Sequence, residues 1–192
     1  MKNYDYKLKN FLTEELNDFI NPQILEFGVK EGRSTKIFLD YCKKKNGKLY
    51  SVDIDDYSYL FEDPNWKFIK SRDDNFEYLK NEIPKKFDII YLDSLHEANH
   101  VEKIFYYYFN LLKINGFFFI DDISWLPYLK GEDRDSFYCE INNKETFERI
   151  LKIYKFNTEN FDIYFSFVSS GMAKIVKKKD FLEKPNKIYS RK

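Results

Sequence analysis

Five side chains able to do acid–base or metal chemistry stand just beyond apolar runs. Asp53 ends Leu49-Tyr50-Ser51-Val52. Asp93 ends Phe87-Asp88-Ile89-Ile90-Tyr91-Leu92, with His96 three residues on. Asp121 and Asp122 end Phe117-Phe118-Phe119-Ile120. Carboxylate oxygens suit Mg²⁺, Ca²⁺ or Mn²⁺, and an imidazole beside them can take up a proton. A single candidate histidine and the absence of paired cysteines argue against structural zinc. Taken singly, Asp121-Asp122 also reads as a strand-end acid followed by a loop cap, and His96 as a helix-start histidine. Taken jointly, the residues favour a cation site with a base beside it.

A second constellation lies upstream, in Glu26-Phe27-Gly28-Val29-Lys30-Glu31-Gly32-Arg33-Ser34-Thr35. Glycines after a strand let a ligand approach the backbone, and the following helix offers free N–H groups to a carboxylate or phosphate. The dinucleotide fingerprint GxGxxG is absent, because the glycines are four apart and position 30 is Lys. An acid ending the next strand, here Asp53, can accept both hydroxyls of a ribose. Glycine turn and acid together point to a nucleoside-type ligand.

The elements that must position these groups follow from pattern. Leu8, Phe11, Leu12, Leu16, Phe19 and Ile20 recur at helical spacing until Asn21-Pro22 stops them. Strands are expected at 24–27, 48–53, 66–69, 87–93 and 117–121. Continuous apolar runs suit parallel strands covered on both faces. Helices carry Ile37, Phe38 and Tyr41, then Phe76, Leu79 and Ile83, then residues 98–112 closed by Asn115-Gly116. Gly47 suits the left-handed residue after the first of these. Residues 124–140 read as a lid loop, 143–154 as a helix. Phe161 to Val168 and Met172 to Val176 flank Ser169-Ser170-Gly171 as an antiparallel hairpin. The expected fold is α/β, a Rossmann-like, doubly wound, mostly parallel seven-stranded sheet with an antiparallel C-terminal hairpin. Ligands of such sheets bind outside the carboxyl ends of the strands, where the acids stand.

The 192 residues suit one domain, taken as 1–180 with an N-terminal helix over 1–21 and a basic tail over 181–192. Residues 177–192 carry seven Lys/Arg against Asp180 and Glu183, leaving the rest with 25 basic and 30 acidic residues. An acidic body argues against a nucleic-acid groove. No run of about 18 apolar residues implies a membrane span. The polar start lacks the apolar core of a signal peptide, and Cys42 and Cys139 form no framework. A cytoplasmic location is expected. The sequence is compatible with a homo-oligomer.

These residues carry a resemblance. Glu26 to Gly32 with Asp53 resembles the cofactor site of class I S-adenosylmethionine-dependent methyltransferases. Leu92-Asp93-Ser94-Leu95-His96 with Gly116 to Asp122 is similar to the macrocin O-methyltransferase-like group, which methylates sugar hydroxyls with a divalent metal. The likeness runs from about Ile24 to Ile123. It implies that Glu26, Gly28 and Gly32 border the methionine part of S-adenosylmethionine, that Ser34 meets its carboxylate and that Asp53 holds the ribose. Asp73 would approach the adenine amine, with Asp74 an equal candidate. Asp93, Asp121 and Asp122 would bind the metal, Mg²⁺ by expectation, with His96 as base beside Asp93 in the catalytic centre. The acceptor would be a small polar molecule, such as a sugar or glycoconjugate precursor. The consecutive prolines of amino-methyltransferases are missing, which disfavours a nucleobase target. His100, four residues past His96, reads as surface or lid support, and Tyr106-Tyr107-Tyr108 as helix packing. Two rival classes stand beside this reading. One is a nicotinamide-dependent oxidoreductase, separable by the cofactor that co-purifies. The other is a non-catalytic interaction module that would bind neither cofactor nor metal.

Overall fold

The computed structural model describes residues 6–9, 12, 16, 19–129 and 134–184, without the side chains of 134–136. Seven strands are β1 (Gln23–Phe27), β2 (Lys48–Asp53), β3 (Trp66–Lys70), β4 (Phe87–Leu92), β5 (Leu112–Asp121), β6 (Phe161–Ser166) and β7 (Met172–Lys177). Four helices are α1 (Arg33–Lys45), α2 (Phe76–Glu82), α3 (Ala98–Tyr108) and α4 (Arg134–Lys155). The sheet order is β3-β2-β1-β4-β5-β7-β6. Strands β1 to β5 pair in parallel, and β7 enters antiparallel between β5 and β6. This is the expected doubly wound sheet with its hairpin. The winding reverses between β1 and β4, which opens a crevice at their carboxyl ends.

Both faces are covered. Every residue of β4 is buried, as a central parallel strand requires. Leu25, Phe27, Ile90, Leu92, Phe118 and Ile120 face one layer with Leu79, Ile104, Phe105 and Ile150. Ile24, Ile89, Tyr91 and Phe119 face the other, with Phe38 and Cys42 of α1 and Leu8, Leu12 and Leu16. Residues 6–9 and 12 are helical. Phe11 lies outside the described residues, and Ile20, expected on the apolar stripe, is exposed. No described helix is long and apolar enough to cross a membrane.

Several boundaries differ from expectation: the helix expected over 1–21 does not reach its end, since Leu16, Phe19, Ile20 and Asn21 are not helical. The left-handed residue after α1 is Asn46, at φ 55°, and not Gly47. Gly47 is small because a Cβ there would lie 2.6 Å from Pro22. Helix α3 stops at Tyr108, a 3₁₀ turn follows over Phe109–Leu111, and Asn115-Gly116 lies within β5. There β5 shifts register against β4, with Asn115 left-handed at φ 63°. The segment read as a lid loop is only partly a loop. Leu126–Tyr128 is a 3₁₀ turn and α4 already begins at Arg134, so two turns of helix replace its second half; residues 130–133 lie outside the described residues.

The tail is docked farther than 181. Asn157 accepts the Glu183 N–H at 2.7 Å and donates to the Glu183 carbonyl at 2.8 Å. The Tyr106 hydroxyl donates to that same carbonyl at 3.0 Å, and Leu182 packs on the core. The buried Lys177 ammonium donates to the carbonyls of Phe109 and Leu112 at 2.8 and 2.7 Å, and pairs with Asp180 at 2.6 Å. Residues 185–192 lie outside the described residues. Truncation after Lys179 removes the Asp180, Leu182 and Glu183 contacts, while Lys177 keeps its two carbonyls, and should cost about 2–4 kcal/mol. That corresponds to about 5–10 °C in a thermal melt; an unchanged melting temperature would show that the docked turn carries no stability.

Candidate functional site

The site starts where β1 and β4 end side by side. The Asp93 N–H donates to the Phe27 carbonyl at 2.8 Å, and the Gly28 N–H to the Val52 carbonyl at 3.0 Å. Gly28 is left-handed at φ 91°, and a Cβ on it would sit 1.9 Å from the Asp93 carbonyl oxygen. Only glycine fits there. Lys30 is left-handed too, at φ 48°, and Gly32, at φ 72°, starts α1 without a side-chain cap. Asp53 closes the loop from β2. Its Oδ2 accepts the Val29 N–H at 2.7 Å and its Oδ1 the Asp55 N–H at 3.1 Å.

Beneath this loop lies Glu26, fully buried. Three hydroxyls donate to its carboxylate: Ser34 at 2.6 Å, Thr35 at 2.8 Å and Ser51 at 2.6 Å. Among the described residues no positive group meets it, so burial outweighs the hydroxyls and pushes its pKa up to about 7. Ser51 in turn accepts from the Trp66 indole N–H at 2.9 Å.

Above the loop opens a cleft of about 720 Å³, in the range of small-molecule sites. Gly28, Ser34, Asp53, Asp73, Asp93, His96 and Asp122 line it, with Ile54, Tyr57, Ser94, Leu95 and His100. Glu26 and Gly32 do not. Glu26 instead ties β1, β2 and α1 together from below, and Gly32 packs under Leu60 and Phe61. The Ser34 hydroxyl is already committed to Glu26. Of the paired acids, Asp73 reaches the cleft while Asp74 is bound outside by Arg72 at 2.8 Å and Lys103 at 3.1 Å, which hold its carboxyl well below the usual range.

At the mouth, ligand atoms of Asp93, His96 and Asp122 lie within 4.8 Å of one another. His96 Nε2 is 3.4 Å from Asp93 Oδ1 and 3.3 Å from Asp122 Oδ2. All three side chains are partly open to solvent. Asp122 is left-handed at φ 55°, an uncommon conformation for a residue with a side chain, held by its N–H on Asp121 Oδ1 at 2.8 Å. Asp121 itself points the other way. Fully buried, it ion-pairs with Lys7 and accepts from the Tyr91 hydroxyl at 2.7 Å. Burial drives its carboxyl up, and the ammonium and the hydroxyl pull it back. Lys7 also donates to Ser170 Oγ at 2.8 Å. The cluster is thus Asp93, His96 and Asp122, with Asp121 behind it, rather than the three aspartates expected.

Sequence reasoning missed Lys7, Tyr91 and Ser170, which come from three distant segments. It also misread His100, which is nearly buried and sits 2.8 Å from Asp73. Tyr107 stacks on Phe76 at 3.9 Å between centroids, and Tyr108 is buried, so that run is helix packing as expected.

A family model described as "Methyltransferase domain" matches residues 25–123. No curated protein matches the chain. Among solved structures, the chain is similar to the MycE methyltransferase of the mycinamycin biosynthetic pathway, in complex with Mg and SAH. The identity is 18% and the TM-score 0.64, over 91% of this chain and 49% of that one. It therefore spans about half the length of that relative. An O-methyltransferase from Bacillus cereus in complex with SAH gives 15% identity and a TM-score of 0.62, over 93% and 82% of the two chains. SAH-bound PaMTH1 of Podospora anserina gives 17% and 0.63, over 82% and 72%. At these identities the structural likeness establishes the fold.

The buried Glu26 makes stability pH-dependent. Its carboxyl goes from 4.5 unfolded to about 7 folded, so the native state binds more protons across that window. Wild-type stability should fall as pH rises from about 4.5 to 7, by on the order of 3 kcal/mol. Glu26→Gln cannot ionise, and rotating hydroxyls can meet its amide. Melting curves of the two proteins should separate in favour of Gln as pH rises. Parallel curves would show that Glu26 ionises normally.

Proposed function

The chain belongs to this methyltransferase-domain family, and we propose that it moves the methyl group of S-adenosylmethionine to a hydroxyl of a small polar acceptor, such as a sugar, with help from a divalent cation. The juxtaposition of Asp93, His96 and Asp122 at the mouth of a cleft that Asp53 and the glycine loop line carries this reading. Family membership sets the nicotinamide alternative aside.

The donor chemistry fits a hard cation. Asp93 and Asp122 offer carboxylate oxygens on neighbouring strand ends, the ligand type Mg²⁺ and Mn²⁺ prefer. Asp121 is left out of the ligand set, because Lys7 and the Asp122 N–H already occupy its Oδ1. A divalent cation held there would supply positive charge that eases loss of a proton from a nearby hydroxyl. S-adenosylmethionine supplies an electrophilic methyl group. Asp53 would accept the ribose hydroxyls: three backbone N–H groups already meet its carboxylate, two on Oδ2 and one on Oδ1, which leaves acceptor capacity on Oδ1.

His96 takes the acceptor proton. Its imidazole stands 3.4 Å from Asp93 and 3.3 Å from Asp122, which orient it at the mouth of the cleft. With S-adenosylmethionine bound, the acceptor oxygen would bond to the methyl carbon as the carbon–sulfur bond breaks, and the electron pair would leave with sulfur. The rest of the work is placement of the two reactants in line.

Asp53→Ala should weaken S-adenosylmethionine by about 1–3 kcal/mol in calorimetry; unchanged affinity would refute the ribose site. The cation and base are tested separately. Asp122→Ala should weaken Mn²⁺ binding, measured by electron paramagnetic resonance, and leave cofactor affinity intact. With a hydroxylated acceptor found from a panel of sugars and nucleotide sugars, His96→Ala should cut turnover by about 10² to 10⁴. Wild-type turnover indifferent to chelation would remove the cation from the mechanism.

A further inference from the structure

Asp73 is gripped from one side only. Ser94 Oγ donates to its Oδ2 at 2.5 Å, and His100 Nε2 lies 2.8 Å from that same oxygen. Among the described residues no hydrogen bond reaches Oδ1, and Asp73 lines the cleft together with Ser94 and His100. The turn that carries Asp73 is fixed as well. Tyr108 donates its hydroxyl to the Asp73 carbonyl at 2.8 Å, and Lys103 holds Asp74 at 3.1 Å. Helix α3 therefore clamps residues 73 and 74 with three side chains, and only His100 touches the Asp73 carboxylate. Its ring is nearly buried, so it is held in place rather than free to follow a rotating carboxylate.

A carboxylate gripped at one oxygen presents the other as a fixed acceptor. It meets an exocyclic amine with a hydrogen bond and a carbonyl oxygen with repulsion. We propose that His100 is the positioning residue that sets base specificity. With Ser94 it holds Asp73 Oδ2, so that Oδ1 accepts from the 6-amine of adenine and rejects hypoxanthine. The inference rests on the S-adenosylmethionine reading. It adds a residue that acts through Asp73 and makes no contact with the reacting atoms.

The test compares S-adenosylhomocysteine with S-inosylhomocysteine by calorimetry. Wild type should prefer the adenine compound by ~10–100-fold, the scale of a mismatched hydrogen bond to a charged group. His100→Leu should collapse that ratio toward one. His100→Gln, whose amide nitrogen can reach the same oxygen, should retain most of it. In Asp73→Asn the two donors hold the amide oxygen and turn the NH₂ into the cleft, so the preference should invert. A loss of stability alone would weaken both ligands and leave the ratio unchanged, which separates positioning from a merely structural role. Should His100→Leu fail to fold, Ser94→Ala, which removes the other donor from a loop, must lower the ratio. A wild-type ratio retained in the His100→Leu or Ser94→Ala protein, or no inversion in Asp73→Asn, overturns the proposal while the cofactor reading stands. Binding of neither compound by wild type overturns both.

Discussion

The contact on which the site depends is a missing one. Position 28 passes so near the Asp93 carbonyl that a Cβ would lie 1.9 Å from its oxygen. The absence of that single carbon lets the loop after β1 cross over the end of β4. From this crossing follow the left-handed turn into α1, the open floor of the cleft and the position of Asp93 at its mouth. Alanine at 28 would face both a steric clash and an unfavourable φ of 91°. Relieving the clash would move Asp93, and with it His96 and the shared cluster.

Three buried acids around this crossing are stabilised in three ways, and the differences sort their roles. Glu26 is met by hydroxyls alone, which satisfy its oxygens without supplying charge, so it drifts towards the neutral form. Under the loop its carboxyl ties β1, β2 and α1 together through Ser51, Ser34 and Thr35. Asp121 is met by the Lys7 ammonium, a charge matched by a charge, as a buried ion pair requires. It thereby fixes the left-handed Asp122 and docks the N-terminal segment. Asp73 is held at one oxygen only, which leaves acceptor capacity facing the cleft. Burial alone does not make an acid functional; what matters is whether an oxygen remains uncommitted.

The strand-end acids were legible because parallel strands buried on both faces write themselves as unbroken apolar runs, and Asp53, Asp93 and Asp122 stand where such runs stop. The hairpin was legible from its turn. Other features were not. Asp121 and Asp122, expected together at one metal site, are adjacent in sequence, and chain neighbours at a strand end point to opposite sides, so only Asp122 reaches the cluster while Asp121 meets Lys7. Lys7 meets Asp121 across 114 residues, which no local rule reaches. His100, four residues past His96, reads from sequence as surface or lid support, whereas it is nearly buried against Asp73. Helix α3 starts only at Ala98, so His96 lies on the loop before it and the i,i+4 relation does not hold. The helix over 143–154 was legible, but its first two turns were hidden by Gly131 and a run of charges that read as loop.

One loop joins the two ends of the proposed chemistry. Within four residues, Asp93 and His96 stand together on the side proposed for the acceptor, while Ser94 reaches Asp73 on the side proposed for the cofactor. The loop is anchored at its start by the Asp93 N–H on the Phe27 carbonyl and runs into α3, which holds residues 73 and 74 by His100, Lys103 and Tyr108. Displacing it would disturb base recognition and proton transfer together. In the proposed reaction that coupling is useful, because in-line transfer needs the methyl group and the acceptor oxygen fixed relative to each other, not merely each fixed to the protein. A short, doubly anchored loop shared by both half-sites meets that requirement with fewer moving parts than two separate loops would.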